Sequence, residues 1–175
     1  MQTQHTAHFS DAAPGLDALA DASVQLVVTS PPYPMIEMWD ELFGEQDADA
    51  RRALGREKGQ QSFELMHERV LKPVWKEAYR VLQKGGVMCV NIGDATRKIG
   101  GQFQLFPNHA RVISDLARIG FSQLPGVLWR KPASSPTKFM GAGMLGLNAY
   151  TTLEHEHILV FRKGGNRKAA SGDEK

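Results

Sequence analysis

The segment Val24 to Thr29, VQLVVT, constrains the fold of this chain more than any other feature. It is almost continuously apolar and rich in β-branched residues. Such a run predicts a strand buried on both faces, as in a parallel sheet covered by helices. A second run of the same character, Val87 to Ile92, predicts a neighbouring strand. The chain is therefore expected to fold around a parallel sheet.

Helical and extended patterns alternate along the rest of the chain. Helices are predicted at Pro14–Ala20, over Phe63–Leu82 with a kink or a new start at Pro73, and over Phe106–Ile119 with Gly120 as its cap. Lys84-Gly85-Gly86 is expected to end the second helical region. Further strands are predicted at His5–Asp11, Phe121–Arg130 and Glu156–Arg162.

This alternation predicts an α/β fold with helices on both faces of a mostly parallel sheet. The last two strands are expected to form an antiparallel edge, since a long loop joins them. The polar, glycine-containing segment Asp40–Gln61 is interpreted as a mobile loop with a short helix. Lys131–Asn148, rich in Gly, Ser and Pro, is a long loop of the kind that is functional or disordered.

Composition narrows the class of protein. The chain has 175 residues, of which 42% are hydrophobic and 23% charged, enough for one domain with a real core. No apolar run approaches the roughly 20 residues of a membrane span, and the N-terminus lacks a signal-peptide core, so we expect a soluble cytoplasmic protein. The single cysteine, Cys89, excludes a disulfide framework and is interpreted as core.

Charge alone does not identify a partner. The net charge of +2 is weak evidence for a polyanionic ligand. Basic residues are nevertheless frequent after Trp129, where a nucleic-acid contact and a solvated surface with a basic tail are equally compatible with the pattern.

Three polar segments follow predicted strands: Ser10-Asp11, Ser30–Tyr33 and Asn91–Asp94. Ligands of open α/β sheets bind at the carboxyl ends of strands, so these segments are expected to meet at one site. In Ser30-Pro31-Pro32-Tyr33, two prolines fix the backbone and remove two N–H donors. A hydroxyl, a rigid carbonyl and a flat ring would suit a planar base with an exocyclic amine. A plain strand-ending turn is the alternative.

An ordered series of motifs resembles the amino-methyltransferases of DNA, in the form typical of the branch that methylates cytosine N4. After Thr29-Ser30-Pro31-Pro32-Tyr33, the resemblance continues through Tyr79–Gly86, Asn91–Ala95, Trp129–Pro132 and Glu154–Lys163. It implies the seven-stranded, Rossmann-like fold of methyltransferases that use S-adenosylmethionine as cofactor. It also implies that the substrate is double-stranded DNA. The target base would be flipped out of the duplex. Adenine N6 is the alternative target.

The resemblance also implies residue roles. Ser30, Pro31, Pro32 and Tyr33 would be catalytic: the Ser30 hydroxyl and the Pro31 carbonyl would accept hydrogen bonds from the amine and localise its lone pair toward the methyl donor. Cofactor contacts are expected from Asp11, Thr29 and Asp94. A helix-capping role for Asp11, and a cap or turn role for Asp94, are the competing interpretations.

Two sets of residues stay open. Lys131 and Lys138 are candidates for DNA contact, although a flexible surface loop fits them equally well. His155 and His157 alternate with Glu154 and Glu156, which favours one polar strand face. No third ligand has convincing spacing, and we predict no metal site.

The glycine-rich cofactor motif of the family, Phe-x-Gly-x-Gly, has no counterpart here; Gly141-Ala142-Gly143 lacks a preceding apolar strand. We therefore expect residues 1–163 to be the catalytic, base-binding half of a permuted enzyme, with 164–175 a tail or linker. It would work with a complementary half, or as a homodimer, in a restriction–modification context. A non-catalytic remnant that binds DNA or a partner is the second hypothesis.

Overall fold

The structure is a computed structural model, and it describes residues 3–131 and 153–166. Its helices are α1 (Ala12–Asp17), α2 (Asp40–Gln46), α3 (Ala48–Gly55), α4 (Gly59–Leu65), α5 (Lys72–Val81) and α6 (Asn108–Ile119), with a 3₁₀ turn at Glu37–Trp39 and a π-helical segment at Met66–Leu71. The strands are β1 (Val24–Thr29), β2 (Leu82–Ile92), β3 (Ala95–Ile99), β4 (Gln102–Phe106), β5 (Phe121–Arg130) and β6 (His155–Lys163).

The main sheet has the order β1-β2-β6-β5, and β3 with β4 forms a separate hairpin. β1 and β2 are parallel. β2 with β6, and β6 with β5, are antiparallel. The mixed α/β fold and the antiparallel edge are thus confirmed. Among the described strands of this sheet one pair is parallel and two are antiparallel, so the parallel part is smaller than predicted.

The core lies between this sheet and the helices α5 and α6. On β2, the alternate residues Met88, Val90 and Ile92 are fully buried, whereas those between them are only partly covered. Trp75 of α5 and Leu116 of α6 pack into the same cluster. One face of β2 is therefore sealed by this chain more completely than the other.

The prediction that β1 is buried on both faces was wrong. Leu26 is 55% and Val28 71% exposed. β1 pairs with β2 alone among the described strands, so one of its edges and much of one face have no cover from the described residues. Its apolar sequence is that of a central strand, but its position is at an edge.

The predicted strand at His5–Asp11 was also wrong, because the chain there is exposed, pairs with none of the described strands and bends at Ser10. The short helix predicted nearby forms at Ala12–Asp17. The segment interpreted as a mobile loop with a short helix, Asp40–Gln61, instead contains α2, α3 and the start of α4. Phe43, Ala50 and Ala53 are buried there, and packing of these small helices against the core outweighs their polar composition.

Two helix ends differ in how well the sequence predicted them. α6 ends at Gly120 in the left-handed region, with φ 115°, as predicted. Lys84-Gly85-Gly86 does not end a helix: α5 stops at Val81, and these residues lie within β2 where its pairing with β1 shifts register. Gly85 takes a φ of 78° at that irregularity. Pro73 occupies the first turn of α5, where its missing N–H is not needed.

No helix among the described residues is long and apolar enough to cross a membrane. Most of the predicted loop Lys131–Asn148, including Lys138, lies outside the described residues.

Candidate active site

The turn that follows β1 is one wall of a cavity of about 630 Å³. This is within the range of ligand pockets, about 300–1,000 Å³. The residues that line it include Ser30, Pro31 and Pro32, together with Asp11 and Thr29. Pro31 is buried, whereas Ser30 is exposed. A rigid backbone therefore presents the Ser30 hydroxyl to an open space large enough for a nucleotide base.

Tyr33 offers more than a ring for stacking, because its hydroxyl contacts three other side chains. It donates a hydrogen bond to Glu156 Oε2 at 3.0 Å. It accepts one from Asn91 Nδ2 at 2.9 Å. Ser30 Oγ lies 3.2 Å from the same oxygen. The motif of β1 is thus tied to the carboxyl end of β2 and to the start of β6.

Asn91 and Glu156 also contact each other directly, with Asn91 Nδ2 donating to Glu156 Oε2 at 2.6 Å. A carboxylate can only accept, so the amide nitrogen of Asn91 must face it. The strand register explains the meeting: Asn91 is opposite Ile158, and Glu156, two residues earlier, projects from the same face of β6. Lys131 Nζ completes the group, 2.5 Å from Glu156 Oε1.

The electrostatics of this group keep Glu156 ionised. Partial burial alone would raise the pKa of its carboxyl, but hydrogen bonds from Lys131, Asn91 and Tyr33 outweigh it and hold the pKa below 4.5. Burial is the main cause that raises the pKa of Tyr33 above 10, and Glu156 adds to it. At neutral pH a neutral phenol therefore contacts a carboxylate.

A buried pair behind the site holds the ends of two segments together. Asn108 is fully buried, and its amide nitrogen donates at 3.0 Å to the carbonyls of both Pro34 and Gly93. Its oxygen therefore accepts from His67 Nε2, 3.0 Å away, which assigns the Nε2–H tautomer to His67. The residues that follow the proline motif and those that end β2 are fixed through one side chain.

Asp11 and Thr29, predicted to contact the cofactor, do share the cavity with Ser30. Asp11 precedes α1 but makes no side-chain capping hydrogen bond. The capping interpretation of Asp11 therefore finds no support, and its carboxylate is exposed beside the cavity. A carboxylate acceptor and the partly buried apolar side chain of Val74 on the cavity wall fit a ligand that carries amino or hydroxyl groups on an apolar ring.

Asp94 lies elsewhere. Its Oδ1 accepts from the backbone N–H of His109 at 3.0 Å, in the first turn of α6, and its carboxylate also contacts His109 Nδ1 at 2.7 Å. The residues that line the cavity around Ser30 do not include Asp94. These contacts favour the capping interpretation, and a cofactor contact from Asp94 stays a prediction without geometric support.

His157 of β6 lies close to two residues that the sequence did not associate with it, Asp94 and His109. Atoms of Asp94, His109 and His157 that could bind a metal lie within 4.8 Å of one another. The rings of His109 and His157, however, are stacked, with centroids 4.0 Å apart and planes inclined by 13°. A metal lies in the plane of each imidazole that binds it, and two stacked rings cannot both point at one ion. Absence of a metal site stays a prediction, which this stacking supports.

Lys131, predicted to contact DNA, is committed to Glu156 and lies 4.5 Å from the centre of the Trp129 ring. A DNA contact from Lys131 stays a prediction, and Lys138 lies outside the described residues. Sequence reasoning assigned no site role to Asn108 or His67, and left Asn91 and Glu156 without specific ones. The alternation of Glu154 to His157 was the one signal, since an acidic residue facing inward on a strand needs a partner.

Together, the mixed α/β sheet and the Ser-Pro-Pro-Tyr turn at the end of a strand are the features expected of a DNA methylase. The N6_N4_Mtase family model, described as DNA methylase, matches residues 24–174. The chain belongs to this DNA methylase family.

Among its relatives, the type II methyltransferase M.MjaI of Methanocaldococcus jannaschii is 50% identical over 95% of this chain and 58% of its own length. M.MthZI of Methanothermobacter thermautotrophicus is 51% identical over 100% of this chain and 49% of its own length. The chain thus spans about half the length of these relatives.

Solved structures give the same fold. TTHA0409 of Thermus thermophilus, named as a DNA modification methylase and solved with S-adenosyl-L-methionine, has a TM-score of 0.68 at 28% identity, covering 93% of this chain and 57% of that one. The cytosine-N4-specific PvuII DNA methyltransferase has a TM-score of 0.65 at 17% identity, covering 92% of this chain and 50% of that one.

Proposed function

We propose that this chain is the base-binding, catalytic half of an S-adenosylmethionine-dependent DNA methyltransferase that acts on the N4 amine of cytosine. The observation that carries the proposal is the position of Ser30. Its hydroxyl is exposed at the carboxyl end of β1, on the wall of the cavity of about 630 Å³, with the rigid Pro31-Pro32 backbone beside it.

The chemistry needs positioning more than a strong base. The lone pair of the cytosine amine is delocalised into the ring and is a weak nucleophile. Hydrogen bonds from the amine to Ser30 Oγ and to the Pro31 carbonyl would favour a tetrahedral nitrogen and direct its lone pair toward the methyl group. No covalent intermediate with the protein is required, and Cys89 within β2 takes no part.

The cofactor supplies an electrophilic methyl group. In this chain, Asp11 and Thr29 on the cavity wall would bind part of it, and the partly buried Val74 would contribute apolar surface. The target base would reach Ser30 by flipping out of the duplex, because the amine is otherwise hydrogen-bonded inside the helix.

The uncovered part of the sheet supports a complementary cofactor half. Leu26 and Val28 of β1 are 55% and 71% exposed although their sequence is that of an interior strand. An exposed apolar strand edge is a template for pairing with another strand. We propose that further polypeptide, as in the longer relatives, pairs with this edge and carries the remaining cofactor contacts.

The test measures transfer of a radiolabelled methyl group from S-adenosylmethionine to DNA. The chain is assayed alone and joined to the remaining portion of M.MthZI, the 51%-identical relative of which it spans 49%. We expect activity only in the joined protein, with N4-methylcytosine as the product after nuclease digestion. N6-methyladenine would instead establish the alternative target.

Ser30→Ala in the joined protein is expected to lower kcat by about 10²-fold or more, the scale of losing one hydrogen bond made at the reacting centre. Ser23→Ala is the matched control, since the Ser23 hydroxyl donates to the Ala20 carbonyl in a turn before β1, away from the cavity residues. Equal rates for Ser30→Ala and the unmutated protein would refute the assignment of Ser30. A joined protein that folds but transfers no methyl group would favour the non-catalytic remnant.

A further inference from the structure

The hydrogen bonds around Tyr33 determine which way the Ser30 hydroxyl points. A phenol oxygen has one hydrogen to donate and two lone pairs. The hydrogen goes to Glu156, which as a carboxylate can only accept. One lone pair accepts from Asn91. The remaining lone pair faces Ser30 Oγ at 3.2 Å, so Ser30 must donate there.

We propose that Glu156 and Asn91 are positioning residues which, through Tyr33, hold Ser30 as a hydrogen-bond acceptor toward the substrate amine. With its hydrogen directed to Tyr33, the Ser30 oxygen has both lone pairs available for the N–H of the base. A freely rotating serine hydroxyl would at times point its own hydrogen at the N–H of the base, where no hydrogen bond can form. The inference rests on the proposed function of Ser30 and adds the residues that set its polarity.

The surroundings of the chain of contacts support this direction. Asn91 donates to Tyr33 and to Glu156 from the same nitrogen, at 2.9 and 2.6 Å. It therefore occupies one lone pair of the phenol and also holds the carboxylate in place. Lys131 holds the other carboxylate oxygen.

Glu156→Gln keeps the shape but replaces an acceptor with an amide that can donate. Tyr33 can then turn its hydrogen toward Ser30, which would reverse the serine. In the joined protein we expect kcat to fall roughly tenfold, the scale of one misdirected hydrogen bond, while KM for DNA stays within about twofold. Glu154→Gln is the matched control: the same change two residues earlier on the chain, where the carboxylate pairs, among the described residues, with exposed Arg130.

A double-mutant cycle separates positioning from a structural role. Tyr33→Phe removes the link between the carboxylate and the serine. If Glu156 acts through Tyr33, Glu156→Gln has no further effect on kcat in the Tyr33→Phe background. The same tenfold loss in both backgrounds, or no loss in either, would overturn the proposal.

A second measurement uses this chain alone and does not depend on methyl transfer. Tyrosines are replaced biosynthetically by 3-fluorotyrosine, whose phenol ionises nearer neutrality, and the ¹⁹F signal of Tyr33, assigned with Tyr33→Phe, is followed with pH. We expect Glu156→Gln to lower the pKa of Tyr33 and Ser30→Ala to raise it, with Glu154→Gln neutral. If Ser30→Ala lowers that pKa or leaves it unchanged, Ser30 does not donate and the proposal fails, whatever the activity of the joined protein.

Discussion

Buried His67 makes the fold sensitive to acid, and the size of the effect can be worked from the structure. Burial lowers the pKa of His67 from 6.5 to about 4, against weaker opposing contributions from Asn108 and Asp115. Within the described part of the chain its Nδ1 has no hydrogen-bond partner, as suits a neutral ring that donates from Nε2. Protonation would therefore place a charge with one unsatisfied donor in the core.

The sign follows from proton binding. In the unfolded chain His67 takes up a proton below pH 6.5, whereas in the folded chain it does so only near pH 4. The unfolded state thus binds more protons in this window, and stability falls as pH drops through it. A shift of about 2.5 units at about 1.36 kcal/mol per unit costs about 3 kcal/mol between pH 7 and pH 4.

Urea unfolding measured at half-unit steps from pH 7.5 to pH 4 tests this value, with His67→Gln as the reference variant. Glutamine does not titrate, yet its amide can still donate to Asn108. The difference in unfolding free energy between the two proteins removes the contributions of the other titrating groups. We expect that difference to change by about 3 kcal/mol, with a slope near about 1.36 kcal/mol per pH unit. A difference that is constant with pH would refute the assignment of His67 as a neutral buried ring.

Two further predictions concern glycines. In Gly93→Ala, the new Cβ would lie 3.1 Å from Tyr33 Cε2 and displace the ring by a few tenths of an ångström; we expect a roughly three- to tenfold fall in kcat of the joined protein, scaled from about 10² per ångström of misplacement. Gly55→Ala, with no atom within 4 Å of the added carbon, is its control, and equal kcat values would contradict the role of Tyr33. Gly120→Ala forces a Cβ onto a φ of 115° and to 3.1 Å from the Tyr79 hydroxyl, which should cost about 1–3 kcal/mol in urea unfolding; no loss of stability would contradict the strained cap.

Local patterns predicted the elements that depend on local physics. β1 and β2 were found because continuous β-branched runs have few other uses. α6 and its Gly120 cap were found because period, length and a left-handed glycine coincide. Only one short helix was predicted within Asp40–Gln61, because the burial of these helices depends on the packing of Phe43 and Ala50 into the core cluster. The β3–β4 hairpin was missed for a different reason, since its Gly100-Gly101 turn was not weighed as a hairpin signal.

In the candidate site, too, the residues set by local sequence could be predicted and those brought together by long-range packing could not. The Ser30–Tyr33 motif is contiguous and could be predicted from the residues. Its partners Asn91 and Glu156 could not, because their meeting depends on the antiparallel register of β2 and β6, which places Asn91 opposite Ile158. A shift of one residue would send Glu156 to the other face of the sheet. Register of this kind is set by the whole packed sheet.

Position on the sheet also explains why methyl transfer should need more than this chain. Thr29 belongs at once to the uncovered edge strand β1 and to the wall of the cavity at Ser30. A strand paired in parallel with β1 would end at the same edge of the sheet, so the loop after it would come to lie beside that cavity. This chain would then position the amine, the added strand would position the methyl donor, and the transfer would take place across the boundary between them. The exposure of Leu26 and Val28 and the expected inactivity of the chain alone have one physical origin.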